Sequence, residues 1–351
     1  MVLKEKQIDL KNLTLSELEK WIGKFGEPKF RAHQIFEAIY KHNIKDFFSI
    51  TTLSKSLRSH LAEICQISSF QSEETLTASD GTIKFLFRLK DGQFIESVLI
   101  PQSGYYTLCV STQVGCAMGC KFCLTGKMGF KRNLETAEII NQVLYAKEHL
   151  PQPWPLRNIV FMGMGEPLHN FEATLKAVNI LTHPLGLKFS HRRVTISTIG
   201  LAPQMLKFSQ KVNVSWAISF HAADNKTRNF LVPINKKYPL EVLIKTMHKM
   251  PLPKRKRFTI AYVLLRGVNT SVRQAKDLAK LLKGLPVKIN LIPFNPCPDI
   301  DFSPPLTYEI LQFQEVLQKY GYTVTIRQSK GADIGAACGQ LDGKPREFKN
   351  D

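Results

Sequence analysis

Long apolar runs are missing from this 351-residue sequence: it holds no stretch of about 18 apolar residues, which argues against a transmembrane helix. The opening Met-Val-Leu-Lys-Glu-Lys-Gln-Ile-Asp-Leu has no apolar signal core, so a cytoplasmic location is expected. Acidic residues are in short supply, 29 Asp plus Glu against 48 Lys plus Arg, for a net charge of +19. An excess of that size points to a polyanionic partner, although phosphate contacts carry no sequence information and charge does not separate RNA from DNA. The cations recur along the chain, at Lys121, Lys127, Lys131, Arg132, Arg192, Arg193, Lys236, Lys237 and through 254–257, and so suggest a broad basic surface rather than a tail. Cysteine is scarce, with seven in all. In a reducing compartment a cluster of them binds metal or does chemistry more often than it cross-links. No second Cys or His pair stands at the spacing of a four-ligand structural zinc site.

Four of those seven cysteines lie within 109–123, at Cys109, Cys116, Cys120 and Cys123. The last three are spaced C-x3-C-x2-C. Gly115 and Gly119 relieve the backbone sterics of so short a loop, and three thiolates can converge on one inorganic centre. Thiolates suit soft metals and iron–sulfur clusters. A four-iron cluster held by three cysteines leaves one iron with open coordination, as catalysis requires.

Residues 1 to about 80 carry apolar residues at helical spacing over 13–22, 31–40 and 53–64 and read as a small helical accessory domain. Lys29, Arg31, His33, Lys41 and His42 are its candidates for touching nucleic acid. Two β-rich runs, 84–89 and 94–100, are joined by Lys90-Asp91-Gly92, a hairpin signal. From about 107 short Val- and Ile-rich strands (107–111, 158–162, 193–198, 212–220, 257–264, 287–292) alternate with helices (134–149, 171–181, 201–209, 239–250, 271–282, 308–320). Regular alternation implies a parallel sheet with right-handed crossovers, and six units fit a closed or partly closed barrel. Reactive residues then belong in the loops after the strands' carboxyl ends. The cysteine loop, Gly-Met-Gly-Glu-Pro at 163–167, Ser197, the run Ser219-Phe220-His221 and Asn295 all fall there. A further strand, 323–327, precedes a tail of small residues, 331–341, that offers little to pack and should be mobile; Cys338 is an odd choice for structure there.

The C-x3-C-x2-C loop with Phe122 before its last cysteine, followed by Gly-Glu-Pro, resembles the radical S-adenosylmethionine (SAM) superfamily. The runs 108–123, 163–167, Asn-Leu-Ile-Pro-Phe-Asn-Pro at 290–296 and Ala-Ala-Cys-Gly-Gln-Leu at 336–341 resemble one family within it, the dual-specificity RNA adenine methyltransferases. Those enzymes modify C2 of one adenine in 23S rRNA and of adenine 37 in some tRNAs. The likeness covers about 84–342 and implies an α/β fold. It divides the chain into the helical accessory, RNA-contacting domain at 1–80, a β-hairpin extension at 81–106, a partial (βα)6 radical SAM barrel at 107–321, and a strand with a flexible tail carrying Cys338 at 322–351.

The resemblance also implies roles. Cys116, Cys120 and Cys123 would hold a [4Fe-4S] cluster; Gly165, Glu166, Ser197, Ser219, Phe220, His221 and Asn295 would bind SAM. Cys338 would carry the methyl group as S-methylcysteine, Cys109 would close a transient disulfide with it, and Glu96 matches the family's acid/base glutamate. Two SAM molecules would be consumed per methylation. Adenine C2 is electron-poor and its hydrogen only weakly acidic, so the cofactor must supply a radical. The implied partners are 23S rRNA, tRNA and a reduced flavodoxin or ferredoxin, with a monomer as the default. The related alternative is methylation of adenine C8, against which Pro167 and the Pro-Phe-Asn-Pro run weigh; a radical SAM enzyme with a non-RNA substrate would not need the +19 charge. Cys65 and Cys297 are left to packing.

Overall fold

The computed structural model describes residues 7–345; the first six and last six residues of the spans proposed above lie outside it. Ten strands form one sheet whose spatial order follows the chain. Four of them are β1 (Ser72–Thr77), β2 (Ile83–Arg88), β3 (Phe94–Gln102) and β4 (Tyr105–Cys109). They are followed by β5 (Leu156–Phe161), β6 (Val194–Thr198), β7 (Ser215–Ser219), β8 (Phe258–Leu264), β9 (Val287–Pro293) and β10 (Val324–Ile326). Pairing is antiparallel from β1 to β4 and parallel from β4 to β10. The expected alternation is thus present, and the sheet stays open, with β1 and β10 as its edges.

The hairpin runs straight into the barrel sheet. Leu89 N donates to Gln93 O, Gly92 N to Leu89 O, and Gly92 takes φ 79°, so the Lys-Asp-Gly turn folds as its chemistry demands. A third antiparallel strand, β1, extends it at the edge. Its alternating half-buried and exposed residues, Ser-Glu-Glu-Thr-Leu-Thr, gave no apolar signal in the sequence.

Helices cover the parallel strands, which explains their lack of polar alternation: along β8 six of seven residues are buried. Of the N-terminal helices, Leu15–Gly23 and Lys55–Ile64 start where the sequence supplies caps, at Thr14 with its reciprocal partner Glu17 and at Ser54, whereas Lys29–Tyr40 starts after Pro28 with no side-chain cap. All three share one apolar core with the barrel, running from Leu10 to Leu341. Lys11, fully buried, ties the two by donating to Asn141 Oδ1 at 2.9 Å and to the Ser68 carbonyl at 2.6 Å. Among the described residues no helix is long and apolar enough to cross a membrane.

The tail differs from the expectation of mobility. Ala336, Ala337 and Leu341 are buried, Leu124 N donates to Gly339 O at 2.8 Å, and Thr125 Oγ1 to Leu341 O at 2.7 Å. Small residues let the segment lie flat across the barrel mouth, so its low side-chain volume becomes a means of close packing.

Candidate active site

β4 ends at Cys109, and the chain then loops across the carboxyl ends of the strands. Gly115 has φ 71°, and a Cβ there would come within 1.8 Å of the Gly129 carbonyl oxygen, so only glycine lets the loop close. Cys116 N donates to that same oxygen at 2.9 Å, and Lys121 N to Leu231 O at 3.0 Å. Backbone contacts thus shape the loop that carries the three cysteines.

Cys116, Cys120 and Cys123 are free thiols that line one cavity, about 1140 Å³ counting space open to solvent. Gly165, Glu166, Ser197, Ser219, His221, Asn295 and Cys338 line it with them. Burial pushes the Cys116 thiol up to about 12, and raises Cys120 and Cys123 as well. Buried thiols ionise when a cation takes the place of the proton. Among the described residues no three His, Cys, Asp or Glu side chains close on a point as a single ion needs. Three soft sulfur donors in the lining of one cavity fit an iron–sulfur cluster.

The loop after β5 brings Glu166 in. Gly165 sits at φ 98°, where a Cβ would lie 2.5 Å from Gln113 Cβ, and Gln113 Oε1 accepts the Glu166 N–H at 2.8 Å. The Glu166 carboxylate accepts from Leu168 N at 3.1 Å and Ile199 N at 2.9 Å. Burial nevertheless raises its pKa to about 7, against the pull of those amides. The arrangement leaves an acceptor-rich pocket wall suited to an ammonium or hydroxyl donor.

His221 follows β7 at φ 59°, an uncommon conformation for a non-glycine residue and one that functional sites often hold. Its Nδ1 accepts from Val263 N at 3.0 Å, so the proton resides on Nε2, and burial holds its pKa down at about 3. The backbone partner and the cavity position coexist: the ring is satisfied on one side and lines the site on the other. Phe122 meets it edge-on at 4.7 Å. Phe220 does not line the cavity. It is fully buried, and only its carbonyl joins the site's frame by accepting from Arg228 Nε.

A second, smaller cavity of about 660 Å³ adjoins the first and is lined by Cys109, Cys123, Asn295, Arg327 and Cys338. Cys109 is buried, and its thiol is pushed up to about 12 by burial, then by Cys338, with Arg327 opposing. Asn295 Nδ2 donates to the Cys338 carbonyl at 3.1 Å, so this residue both faces the large cavity and holds the tail. Glu96 lines neither cavity: it is fully buried beneath the tail, 2.7 Å from Lys84. Burial raises its pKa, with Lys84 opposing. Of the packing cysteines, Cys65 is buried; Cys297 is half-buried, and burial is the main cause that pushes its thiol up to about 11.

Sequence reading missed Arg228 and Arg327. Arg228 is fully buried and donates only to oxygens of Phe220, Ser219, Ile199 and Asn235, knitting together the ends of β6 and β7. Within Asn-Lys-Thr-Arg it looks like a solvated face. Arg327 just follows β10, and the rule that chemistry gathers at strand ends would have found it. The cations offered for nucleic acid on the N-terminal helices are partly engaged: His33 contacts Glu19 at 2.7 Å and Lys41 pairs with Glu37 at 2.6 Å.

Comparison with known proteins bears on the whole chain. The family model described as "Radical SAM superfamily" matches residues 110–280, and the one described as "Ribosomal RNA large subunit methyltransferase N-terminal domain" matches 8–67. The chain is 48% identical over 332 residues to the "Dual-specificity RNA methyltransferase RlmN" of Syntrophobacter fumaroxidans, covering 95% of this chain and 97% of that one. The protein of the same name from Geobacter sulfurreducens is 48% identical over 337 residues, 96% and 92% of the two chains. A crystal structure of a radical SAM methyltransferase from Sphaerobacter thermophilus superposes with a TM-score of 0.89 at 42% identity, covering 96% of this chain and all of that one.

Proposed function

The chain belongs to the RlmN family of radical SAM methyltransferases, and on that premise we propose that it methylates C2 of an adenine in 23S rRNA and of adenine 37 in a subset of tRNAs. It is a SAM-dependent enzyme that uses an iron–sulfur cluster. What supports the finer reading is one juxtaposition: two thiols outside the C-x3-C-x2-C loop, Cys109 and Cys338, share a cavity walled by Arg327, and Cys338 also faces the cavity of the three clustered cysteines.

When bound, the cluster and SAM supply the one-electron chemistry that an electron-poor ring carbon requires. The protein's own groups do the rest. Cys116, Cys120 and Cys123 would hold the cluster, and Gly165, Glu166, Ser197, Ser219, His221 and Asn295 would bind SAM. Cys338 carries the methyl group to the base, and the largely buried strands β6 to β8 wall the site against water. Glu96 takes the proton from C2. Cys109, as its thiolate, then attacks the Cys338 sulfur. The bond from that sulfur to the product carbon breaks with its electron pair going to carbon, which takes up a proton to become the methyl group, and the two sulfurs are left joined as a disulfide that an external thiol reductant resets. Arg327 supports this step by opposing the burial that disfavours a thiolate at Cys109. The +19 charge provides a surface for RNA.

Nucleoside analysis of 23S rRNA and tRNA from a deletion strain tests the proposal. It predicts loss of 2-methyladenosine from both; loss of 8-methyladenosine instead would assign the C8 reaction, and an unchanged profile would overturn RNA methylation.

A further inference from the structure

The segment that carries Cys338 is gripped by two buried side chains of opposite charge. Lys84 on β2 is 4% exposed and Glu96 on β3 is 0% exposed. Lys84 Nζ lies 2.7 Å from Glu96 Oε1, a close ion contact that is not aligned as a hydrogen bond. The other carboxylate oxygen, Oε2, accepts the backbone N–H groups of Asp342 at 2.9 Å and Gly343 at 3.0 Å. On the opposite flank Lys84 Nζ reaches the Gly335 carbonyl at 3.5 Å. Cys338 lies between the two grips.

Burying an ion pair costs several kcal/mol per ion in desolvation, and the loss is offset only when the remaining lone pairs and protons find partners. Here those partners come from the tail. A tail that left would take from the carboxylate both amide partners of Oε2, so the pair and the docked segment stabilise each other.

We propose that Lys84 and Glu96 form a clamp that positions the Cys338 segment against the Cys109 cavity, and that Glu96 is free to take a proton only when residues 342 and 343 have let go. Lys84 is then a positioning residue, and withdrawal of the tail and unmasking of the base are one event. The second half of this inference rests on the reading of Cys338 as methyl carrier and Glu96 as base; the clamp itself does not.

Hydrogen exchange of the anaerobic holoenzyme, followed by mass spectrometry on peptides covering 335–345, tests the clamp, with the β6 peptide as a control for global unfolding. Glu96→Ala and Lys84→Met are expected to speed exchange of the tail peptide by about tenfold or more, as loss of buried hydrogen bonds opens a local unit. Glu96→Gln, which keeps an acceptor, retains part of the protection. A variant on the tail side avoids the barrel: Gly343 has φ +61° and a Cβ there would lie 2.9 Å from the Phe94 carbonyl oxygen, so Gly343→Val is expected to release the tail in the same way. Tail exchange unchanged in Gly343→Val, or in Glu96→Ala with the β6 peptide still protected, overturns the clamp. A tail that exchanges as expected in an enzyme whose Cys338 never carries a methyl group would sink the carrier reading and leave the clamp standing.

Discussion

The cysteine loop and the tail bring thiols to the same barrel mouth, but they are held there by different means. The loop is locked by its own backbone: Gly115 pressed against Gly129, Cys116 N on the Gly129 carbonyl, Lys121 N on Leu231 O. The tail is held chiefly by remote side chains, namely Asn295, Thr125, Glu96 and the ion pair behind it, with a backbone bond from Leu124 N to Gly339 O beside them. Backbone locking suits a site whose geometry must not change. Side-chain tethers can be broken one at a time, which suits the methyl-carrying role proposed for Cys338.

The sharpest break of this contrast is at the cysteines themselves. Cys116→Ala is expected to remove SAM cleavage altogether, read as loss of 5′-deoxyadenosine under reducing anaerobic conditions, together with loss of iron. Cys109→Ala should keep both and instead leave the enzyme covalently joined to its RNA, seen as a band that survives denaturing electrophoresis. Identical phenotypes would show that the two halves are not separate devices.

Next in size is Gly115→Ala. A Cβ at 1.8 Å from a carbonyl oxygen, at φ 71°, forces the loop to move. We expect a loss of about 3 kcal/mol or more in stability and a lower iron content, measured by thermal melting and metal analysis. The matching change to a tether of the tail, Thr125→Val on the loop side, removes the bond to the Leu341 carbonyl and is expected to cost about 1 kcal/mol.

A smaller effect is expected at Arg327. Its cation opposes the burial and the Cys338 charge that raise the Cys109 thiol, so Arg327→Met should move the pH dependence of disulfide closure to higher pH, measured by alkylation of Cys109 against pH. A profile that stays in place would remove Arg327 from the account.

The smallest is a slope in stability. His221 is buried and neutral with its pKa lowered to about 3, so the unfolded chain binds a proton that the folded chain refuses between the ordinary histidine range and that value. Its contribution is present above about pH 6.5 and is lost as pH falls, by up to about 1.4 kcal/mol per pH unit. His221→Asn, a residue that tolerates the φ of 59°, should flatten that slope in denaturant titrations at pH 6 and pH 4.5.

Most of the fold was legible because helical and strand periodicities are local properties. The six alternating units, the Lys-Asp-Gly hairpin and the Thr14 cap are all written in short windows. The edge strand Ser72–Thr77 was not, because half its positions face solvent and its residues are polar. At the site, glycines and cysteines announced themselves through spacing. Arg228, Arg327 and Lys84 did not, since a buried cation is indistinguishable in sequence from the many solvated ones in a chain of net charge +19. The packing of the tail is not legible in its small residues, because it is the tail's backbone that supplies the donors and acceptors that dock it.

The central claim is that the cysteine on the side-chain-tethered segment carries the methyl group. Mass spectrometry of the peptide containing Cys338, taken from Cys109→Ala enzyme isolated from cells and freed of RNA by nuclease, tests it most directly. The account predicts one added methylene bridge from the Cys338 sulfur to an adenine remnant, with Cys116, Cys120 and Cys123 unmodified. An unmodified Cys338 in enzyme that still cleaves SAM would contradict it.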